Sequence, residues 1–290
     1  LKYSMKIAVI GASGYIGSHL SSQLVNLNHC VHGYDLNLSQ NNLSFVDELI
    51  SCDIRQELKV STLYDCVVLL AAKTKVQHSV TNPFSYYETN ILGTKNVLNS
   101  FTTNHIIFAS SGSAFNPDTS PYARSKRSAE DVIIEHGTPY TNLRFYNVSA
   151  NNGFYKFDDE RYHLIRRAAA TANGIYNSMN IYGNDYDTID GTCVRNYTHI
   201  NDIVNGIINN IHKGPMNTPY ECLGNTKGYS VKQVIDTIKD ISGVDFPVFI
   251  KPRRLGDVAK SVVPESSLLF VENYNLEDQC RSALDYERPL

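Results

Sequence analysis

Short continuous apolar runs and longer stretches of helical periodicity alternate along the first half of the chain. "MKIAVIGASGYIGSHLSSQLVNLNH" passes from an apolar run through glycines into a pattern with Ile16, Leu20, Leu24 and Leu27 on one face, which predicts strand, tight turn and helix. The order then repeats. "CVHGYDL" and "DCVVLLAA" predict strands, "PFSYYETNILGTKNVLNSF" a helix, "HIIFASS" a strand, residues 122–136 a helix and "YTNLRFYNV" a strand. Uninterrupted apolar strands are buried on both faces, so the alternation predicts an α/β fold, a doubly wound parallel sheet with helices on both sides. Past Val148 the rhythm loosens. Residues 149–192, rich in Asn, Asp, Tyr and Gly, are expected to form a loop-dominated segment capping the sheet. "VRNYTHINDIVNGIINNI" returns to strand and helix, and "YSVKQVIDTIKDISG" predicts a helix stopped at Gly243.

Composition narrows the function class. The chain has 290 residues, 19% of them charged, and a net charge of -3, which excludes the basic footprint of a general nucleic-acid binder. Six cysteines without CxxC spacing suggest neither a disulfide framework nor a metal site, and read as buried thiols of a reducing compartment. No apolar run approaches the roughly 20 residues of a membrane span, so a cytosolic protein with no membrane partner is expected.

Gly11, Gly14 and Gly17 form G-x-x-G-x-x-G between the first strand and the first helix. Glycines there allow a tight turn, close approach of a pyrophosphate to the helix N-terminus, and close helix–strand packing. Asp35 ends the second strand, where a carboxylate can accept hydrogen bonds from ribose hydroxyls and repel an added 2'-phosphate; Asp53 in "CDI" is a candidate for the adenine end. NAD is therefore expected in preference to NADP. A Rossmann domain is expected over 1–148, with a strand and helix near 193–212 returning to it, and a smaller mixed α/β substrate-binding region over 149–290.

Tyr122 stands out among 19 tyrosines because a lysine, Lys126, follows four residues later, one helical turn on. A free phenol with a pKa near ~10 is too weak a base at neutral pH, and a neighbouring cation lowers it. Ser111, at the carboxyl end of the "HIIFASS" strand, can hydrogen-bond a reacting hydroxyl.

These motifs together resemble the extended short-chain dehydrogenase/reductase family, and "IYGNDYDTIDGTCVRNYTHIND" (residues 181–202), "SVTNPFSYYETNILGT", "LRFYNVSA" and "PRRLGD" resemble the UDP-glucose 4-epimerases within it. The resemblance implies NAD-dependent 4-epimerisation of a UDP-hexose. Ser111, Tyr122 and Lys126 would be its catalytic trio, while Tyr15, Ile16, Ile54 and Asn90 would join the glycines and Asp35 and Asp53 around the cofactor. It implies that Asn147, His163, Leu164, Tyr182, Arg195, Arg254, Asp257 and Ser261 would hold the UDP-sugar, with the arginines on the diphosphate and Tyr182 by the uracil. A homodimer through helices 83–101 and 121–136 is also implied. In two respects the chain departs from the family pattern: the loop between Ser111 and Tyr122 is short, and Thr74, flanked by Lys73 and Lys75, stands where a cofactor-phosphate lysine is usual. Two alternatives stay open, a 4,6-dehydratase or 4-keto reductase of the same fold and a non-catalytic NAD- or RNA-binding relative. Against elimination, Ser111 is followed by Gly112 and Ser113 rather than by an acidic pair.

Overall fold

Residues 4–38, 43–150, 163–254 and 256–287 are described in the computed structural model. Seven strands form the main sheet: β1 (Lys6–Ile10), β2 (Cys30–Asp35), β3 (Glu48–Ser51), β4 (Cys66–Leu69), β5 (Ile106–Ser111), β6 (Tyr140–Phe145) and β7 (Glu221–Leu223). Their order in space is β7-β6-β5-β4-β1-β2-β3, and every pair from β6 to β3 is parallel. The chain begins mid-sheet, runs to one edge, and crosses back after β3 to lay β4 beside β1. The order therefore reverses between β1 and β4, where ligands of such sheets sit beyond the strand ends. Burial follows this position. All of β4 is buried and Ile7, Ala8 and Val9 of β1 are fully so, whereas "ELIS" of the β3 edge keeps both its ends exposed. Each fully buried Ile, Leu or Val contributes about 1.5–3 kcal/mol.

Nine α-helices accompany the strands among the described residues: α1 (Tyr15–Asn26), α2 (Val76–Thr81), α3 (Pro83–Tyr87), α4 (Gly93–Ser100), α5 (Pro121–His136), α6 (Leu164–Ala172), α7 (Ile200–Lys213), α8 (Val231–Ser242) and α9 (Leu276–Tyr286). The single helix expected over 83–101 is really α3, a π turn at Glu88–Leu92, and α4. An apolar pattern read at 3.6 residues per turn does not register one added residue, so the sequence reads straight through. α8 begins in a capping box, Ser230 accepting from the Gln233 amide at 3.0 Å and Gln233 accepting from the Ser230 amide at 2.8 Å, and it stops at Gly243 as its pattern predicts.

The chain divides into two compact units, Leu1–Phe145 with Val204–Cys222, and Tyr146–Ile203 with Leu223–Leu290. Tyr34, Leu69, Val97, Phe101, Phe108 and Ile133 lie in the core of the first. In the second, α6, α8 and α9 bring Ile165, Ala169, Val234, Ile238 and Cys280 together. The strand near 193 does not return to the first unit. Val194–Arg195 pairs antiparallel with Tyr229–Ser230 and parallel with Lys260–Ser261, and Tyr197–His199 pairs with Asn147–Ser149, all in the second unit. Only the helical part, from Val204 of α7 onward, goes back. Within the stretch 149–192 expected to be loop-dominated, the described residues from 163 onward also hold α6 and the strand Met179–Tyr182, parallel to Val248–Lys251. Residues 151–162 of that expectation, and Leu255 of "PRRLGD", lie outside the described residues. Among those described, no helix is long and apolar enough to cross a membrane.

Candidate active site

The glycine loop lies at the point where the sheet order reverses. Gly11 has φ +91, and a Cβ on it would stand 2.7 Å from the Ala71 amide nitrogen just past β4. At Gly17 a Cβ would stand 2.0 Å from the Gly11 carbonyl oxygen. Any side chain at either position would push α1 off the strand ends. Gly14 is the N-cap of α1 and supplies no side-chain cap, so the Tyr15 and Ile16 end of the helix presents backbone amides and a positive dipole end rather than a filled cap. The Asp35 carboxylate accepts from the Ser13 amide at 2.9 Å and the Asn37 amide at 3.0 Å, which fixes it beside this loop. A cradle closed to side chains, an uncapped helix N-terminus and a carboxylate at the end of β2 fit a dinucleotide.

Asp53 is differently placed. Arg55 grips it through Nε at 2.9 Å and an NH2 contact of 2.7 Å, and this hydrogen bonding is the first cause of its lowered pKa. Ile54 is buried and its carbonyl accepts from Asn96 at 2.9 Å. Asn90, in the π turn and 2% exposed, has its amide committed to the protein: Oδ1 accepts from the Lys73 amide at 2.8 Å, and Nδ2 donates to the Lys73 carbonyl at 3.0 Å and to Ser125 Oγ at 2.9 Å. Its work is to tie the segment after β4 to α5. Thr74 and Lys75 in that segment are exposed and Lys73 half-buried.

α5 carries the tyrosine and lysine on its buried face. Ser120 caps it, accepting from the Ala123 amide at 3.1 Å, a bond worth about 1 kcal/mol, and Pro121 opens its first turn. The Tyr122 amide donates to Ser79 Oγ at 3.2 Å, and Tyr86 meets the Tyr122 ring edge-on at 6.4 Å between centroids. Burial pushes the Tyr122 phenol above its usual value, a hydrogen bond with Ser111 works against that rise, and Tyr86 adds to it. Lys126, 2% exposed, donates to the Ala109 carbonyl at 2.7 Å and lies 4.7 Å from the Phe108 ring centroid. Burial takes its pKa down to about 7, against a raising influence of Glu130. The structure thus brings Ser111, Tyr122 and Lys126 together at the carboxyl end of β5, with burial as the leading influence on both titrating groups. The lowering of the phenol by Lys126 that the i, i+4 spacing suggests is not among the causes acting in this structure, because the ammonium is turned to β5.

A second cluster occupies the second unit. The Arg254 guanidinium lies over the Tyr182 ring, Cζ 3.8 Å from its centroid, and hydrogen bonding to Arg254 leads the lowering of the Tyr182 pKa. Arg195 faces Asp257 at 3.8 Å and is the register partner of Ser261. Asn147 donates to the Asn196 carbonyl at 3.0 Å. His163 is the exposed N-cap of α6 without a side-chain cap bond, and Leu164, the first residue of that helix, packs into the second-unit core.

Glu130 and Arg144 escaped the sequence reading although both left a trace. Glu130 repeats the four-residue step beyond Lys126 on the same face of α5, and Arg144 is a charge inside an apolar strand, a position that requires a partner.

Comparison with known proteins agrees with this geometry. Residues 7–222 match the model of the NAD dependent epimerase/dehydratase family. A UDP-glucose 4-epimerase of Halalkalibacterium halodurans is 30% identical, over 89% of this chain and 86% of that protein. Among solved structures, the UDP-Glc/GlcNAc 4-epimerase of Campylobacter jejuni has 29% identity and a TM-score of 0.76 over 98% of this chain and 99% of that one. The UDP-glucose 4-epimerase of Bifidobacterium longum, solved with NAD+ and UDP, has 26% identity and a TM-score of 0.83 over 97% and 98%. With the glycine cradle at the reversal of a 3-2-1-4-5-6-7 sheet and the Ser111, Tyr122, Lys126 group at the end of β5, this likeness over nearly the whole length leads to one conclusion: the chain belongs to the NAD dependent epimerase/dehydratase family.

Proposed function

We propose that this protein is an NAD-dependent 4-epimerase of UDP-hexoses. The observation that carries the reading is that the strand ending in Ser111 also accepts Lys126 at its Ala109 carbonyl, with Tyr122 one turn before Lys126 on the same buried face of α5. Gly11, Gly14, Gly17 and the N-terminus of α1 would hold the NAD pyrophosphate and Asp35 its ribose; bound there, NAD supplies a hydride acceptor that can give the hydride back. Tyr122 takes the proton of the sugar 4-hydroxyl as C4 is oxidised and returns it to the oxygen after the 4-keto sugar has turned over. Ser111 orients that oxygen. Lys126, as an ammonium, favours the phenolate once it is freed from Ala109.

Arg195 and Arg254 are the groups proposed for the UDP diphosphate, since guanidinium forks match phosphate oxygens. Tyr182 has one face covered by Arg254, so a uracil would meet the other face. Ser261, half-buried, is small where a tyrosine would crowd the sugar C2 substituent, which supports use of UDP-GlcNAc and UDP-GalNAc as well as UDP-glucose and UDP-galactose. Phe84 at 81% and Leu92 at 45% exposure on the run 83–101, with Ile134 at 39% on α5, support a homodimer through these helices. Six free cysteines support a cytoplasmic location.

Incubating the purified protein with each of the four UDP-sugars and analysing the products tests the activity. Interconversion without added NAD, and NAD released on denaturation, are the expected results. A 4-keto-6-deoxy product would favour the dehydratase alternative instead, and absence of any turnover with NAD supplied would end the epimerase reading. Light scattering at micromolar concentration tests the dimer, and a monomer would refute it.

A further inference from the structure

Glu130 and Arg144 are among the least exposed charged residues described, at 2% and 1%. Arg144 Nε donates to Glu130 Oε1 at 2.8 Å and an NH2 nitrogen to Oε2 at 2.6 Å, a two-armed fork. Ser110 Oγ donates to the same Oε1 at 2.5 Å, and Ser110 is the register partner of Arg144 across β5 and β6. On its other side the guanidinium lies against two rings, Cζ 4.2 Å from the Phe115 centroid and 3.8 Å from that of Tyr220, which themselves meet edge-on at 5.0 Å. Phe115 ends the short 3-10 turn Gly112–Phe115, whose N-cap is Ser111, accepting from the Ser113 amide at 3.2 Å. Arg144 thus touches the helix that carries Tyr122 and Lys126 and the turn that follows Ser111, and the carboxylate it grips accepts from Ser110 on the strand that carries Ser111.

We propose that Arg144 is a positioning residue for the hydroxyl chemistry: through Glu130 it fixes α5, and through Phe115 it fixes the short loop behind Ser111, so that the placing of Ser111 against Tyr122 depends on it. Stability does not account for the arrangement. Taking two charges out of water offsets most of their attraction, and apolar residues of similar volume commonly pack as well. What the fork and the two rings supply instead is orientation, since a planar guanidinium with two carboxylate oxygens at its edge and rings against it has one way to lie. Only nine residues separate Ser111 from the first residue of α5, Pro121, so a shift of that loop reaches the serine with little slack.

This inference rests on the epimerase reading, and its test separates the two. Three proteins are compared: unmutated, Arg144→Lys, and the double variant Glu130→Gln with Arg144→Met, which removes both charges at similar volume. Measured are kcat and KM for UDP-galactose, thermal midpoint, and amide hydrogen exchange over 112–120. In Arg144→Lys, kcat falls about tenfold or more while KM stays within about twofold, and exchange over 112–120 quickens with that of α1 unchanged. In the double variant the thermal midpoint stays near that of the unmutated protein and kcat stays low. An Arg144→Lys protein with full kcat and unaltered exchange overturns the proposal, as does a double variant that keeps kcat along with its stability. If the double variant does not fold, the Arg144→Lys results decide. If the unmutated protein turns over no UDP-hexose, the epimerase reading falls and exchange alone decides: unchanged protection of 112–120 in Arg144→Lys then overturns the inference.

Discussion

The hydroxyl group around α5 and the arginine cluster of the second unit are built on opposite principles. Tyr122 and Lys126 are at most 8% exposed, and each is held by named protein partners. Arg254 is exposed, Arg195 half-buried, and among the described residues the Asp257 carboxylate faces Arg195 at 3.8 Å. Groups that must change protonation are packed before any ligand arrives, which leaves little to reorganise beyond the release of Lys126 from Ala109. Groups that hold a dianionic ligand keep their charge available, because a guanidinium already forked to a carboxylate would have to give that up to bind phosphate. Substitutions in the first region should therefore act on kcat and those in the second on KM.

The largest expected effect is from Tyr122→Phe. Only the phenolic oxygen goes, so folding is nearly unchanged while the proton transfer loses its base, and kcat falls by about 100-fold to 10,000-fold. Steady-state rates with UDP-galactose decide it, and retained activity would break the contrast at its root. Arg254→Ala comes next, raising KM by about 10-fold to 100-fold with kcat near its original value, the worth of one charge-assisted hydrogen bond to phosphate. A fall confined to kcat would place Arg254 with the chemistry instead. Ser261→Tyr sharpens the comparison within the second region: turnover of UDP-GlcNAc should drop at least about tenfold, the cost of overfilling a packed site, and that of UDP-glucose should persist. Equal loss of both substrates would count against a gate at this residue.

The last effect is in stability. Lys126 has its pKa lowered to about 7 by burial. Between that value and the ordinary lysine value near ~10.4, the unfolded chain binds a proton that the folded chain has released. Stability carried by this group is present in full above the unfolded value and is lost as pH falls towards 7. Its slope is up to about 1.4 kcal/mol per pH unit, and Lys126→Met should remove it. Urea midpoints of ligand-free protein at pH 7 and pH 9 read this directly. An identical pH response in the two proteins would mean that Lys126 keeps its proton when buried.

Much of the first unit was legible because its signals are local. Periodicity, the glycine loop and the Tyr122–Lys126 step all lie within a turn or a strand, and short-range sterics and hydrogen bonding decide them. Asn90 shows where this stops. Its residue type marks it as polar in a helix, but its partners Lys73 and Ser125 are 17 and 35 positions away, and only the fold brings them in. The β3 edge and the pairing of Val194–Arg195 were not legible for the same reason, being short strands whose partners are chosen by tertiary packing rather than by alternation. Arg144 lies between the two cases: its anomaly was local, and the identity of its partner was not.

The π turn at Glu88–Leu92 sets how this part of the chain can vary. A wide turn holds one residue more than an α-helix needs, so α4 is rotated by about 100° from the phase in which α3 alone would have left it. That phase turns Tyr86 of α3 to Tyr122 and, past the bulge, Val97 and Leu98 of α4 into the core. Removing a single residue from 88–92 would wind the run into plain helix and swing Val97 and Leu98 away from the partners they now bury against. Drift at individual exposed positions such as Phe84 leaves that phase intact, whereas a change of one in length does not. Within this stretch, descendants of the gene should differ freely in spelling at exposed positions such as Phe84, little at Asn90, and hardly at all in count.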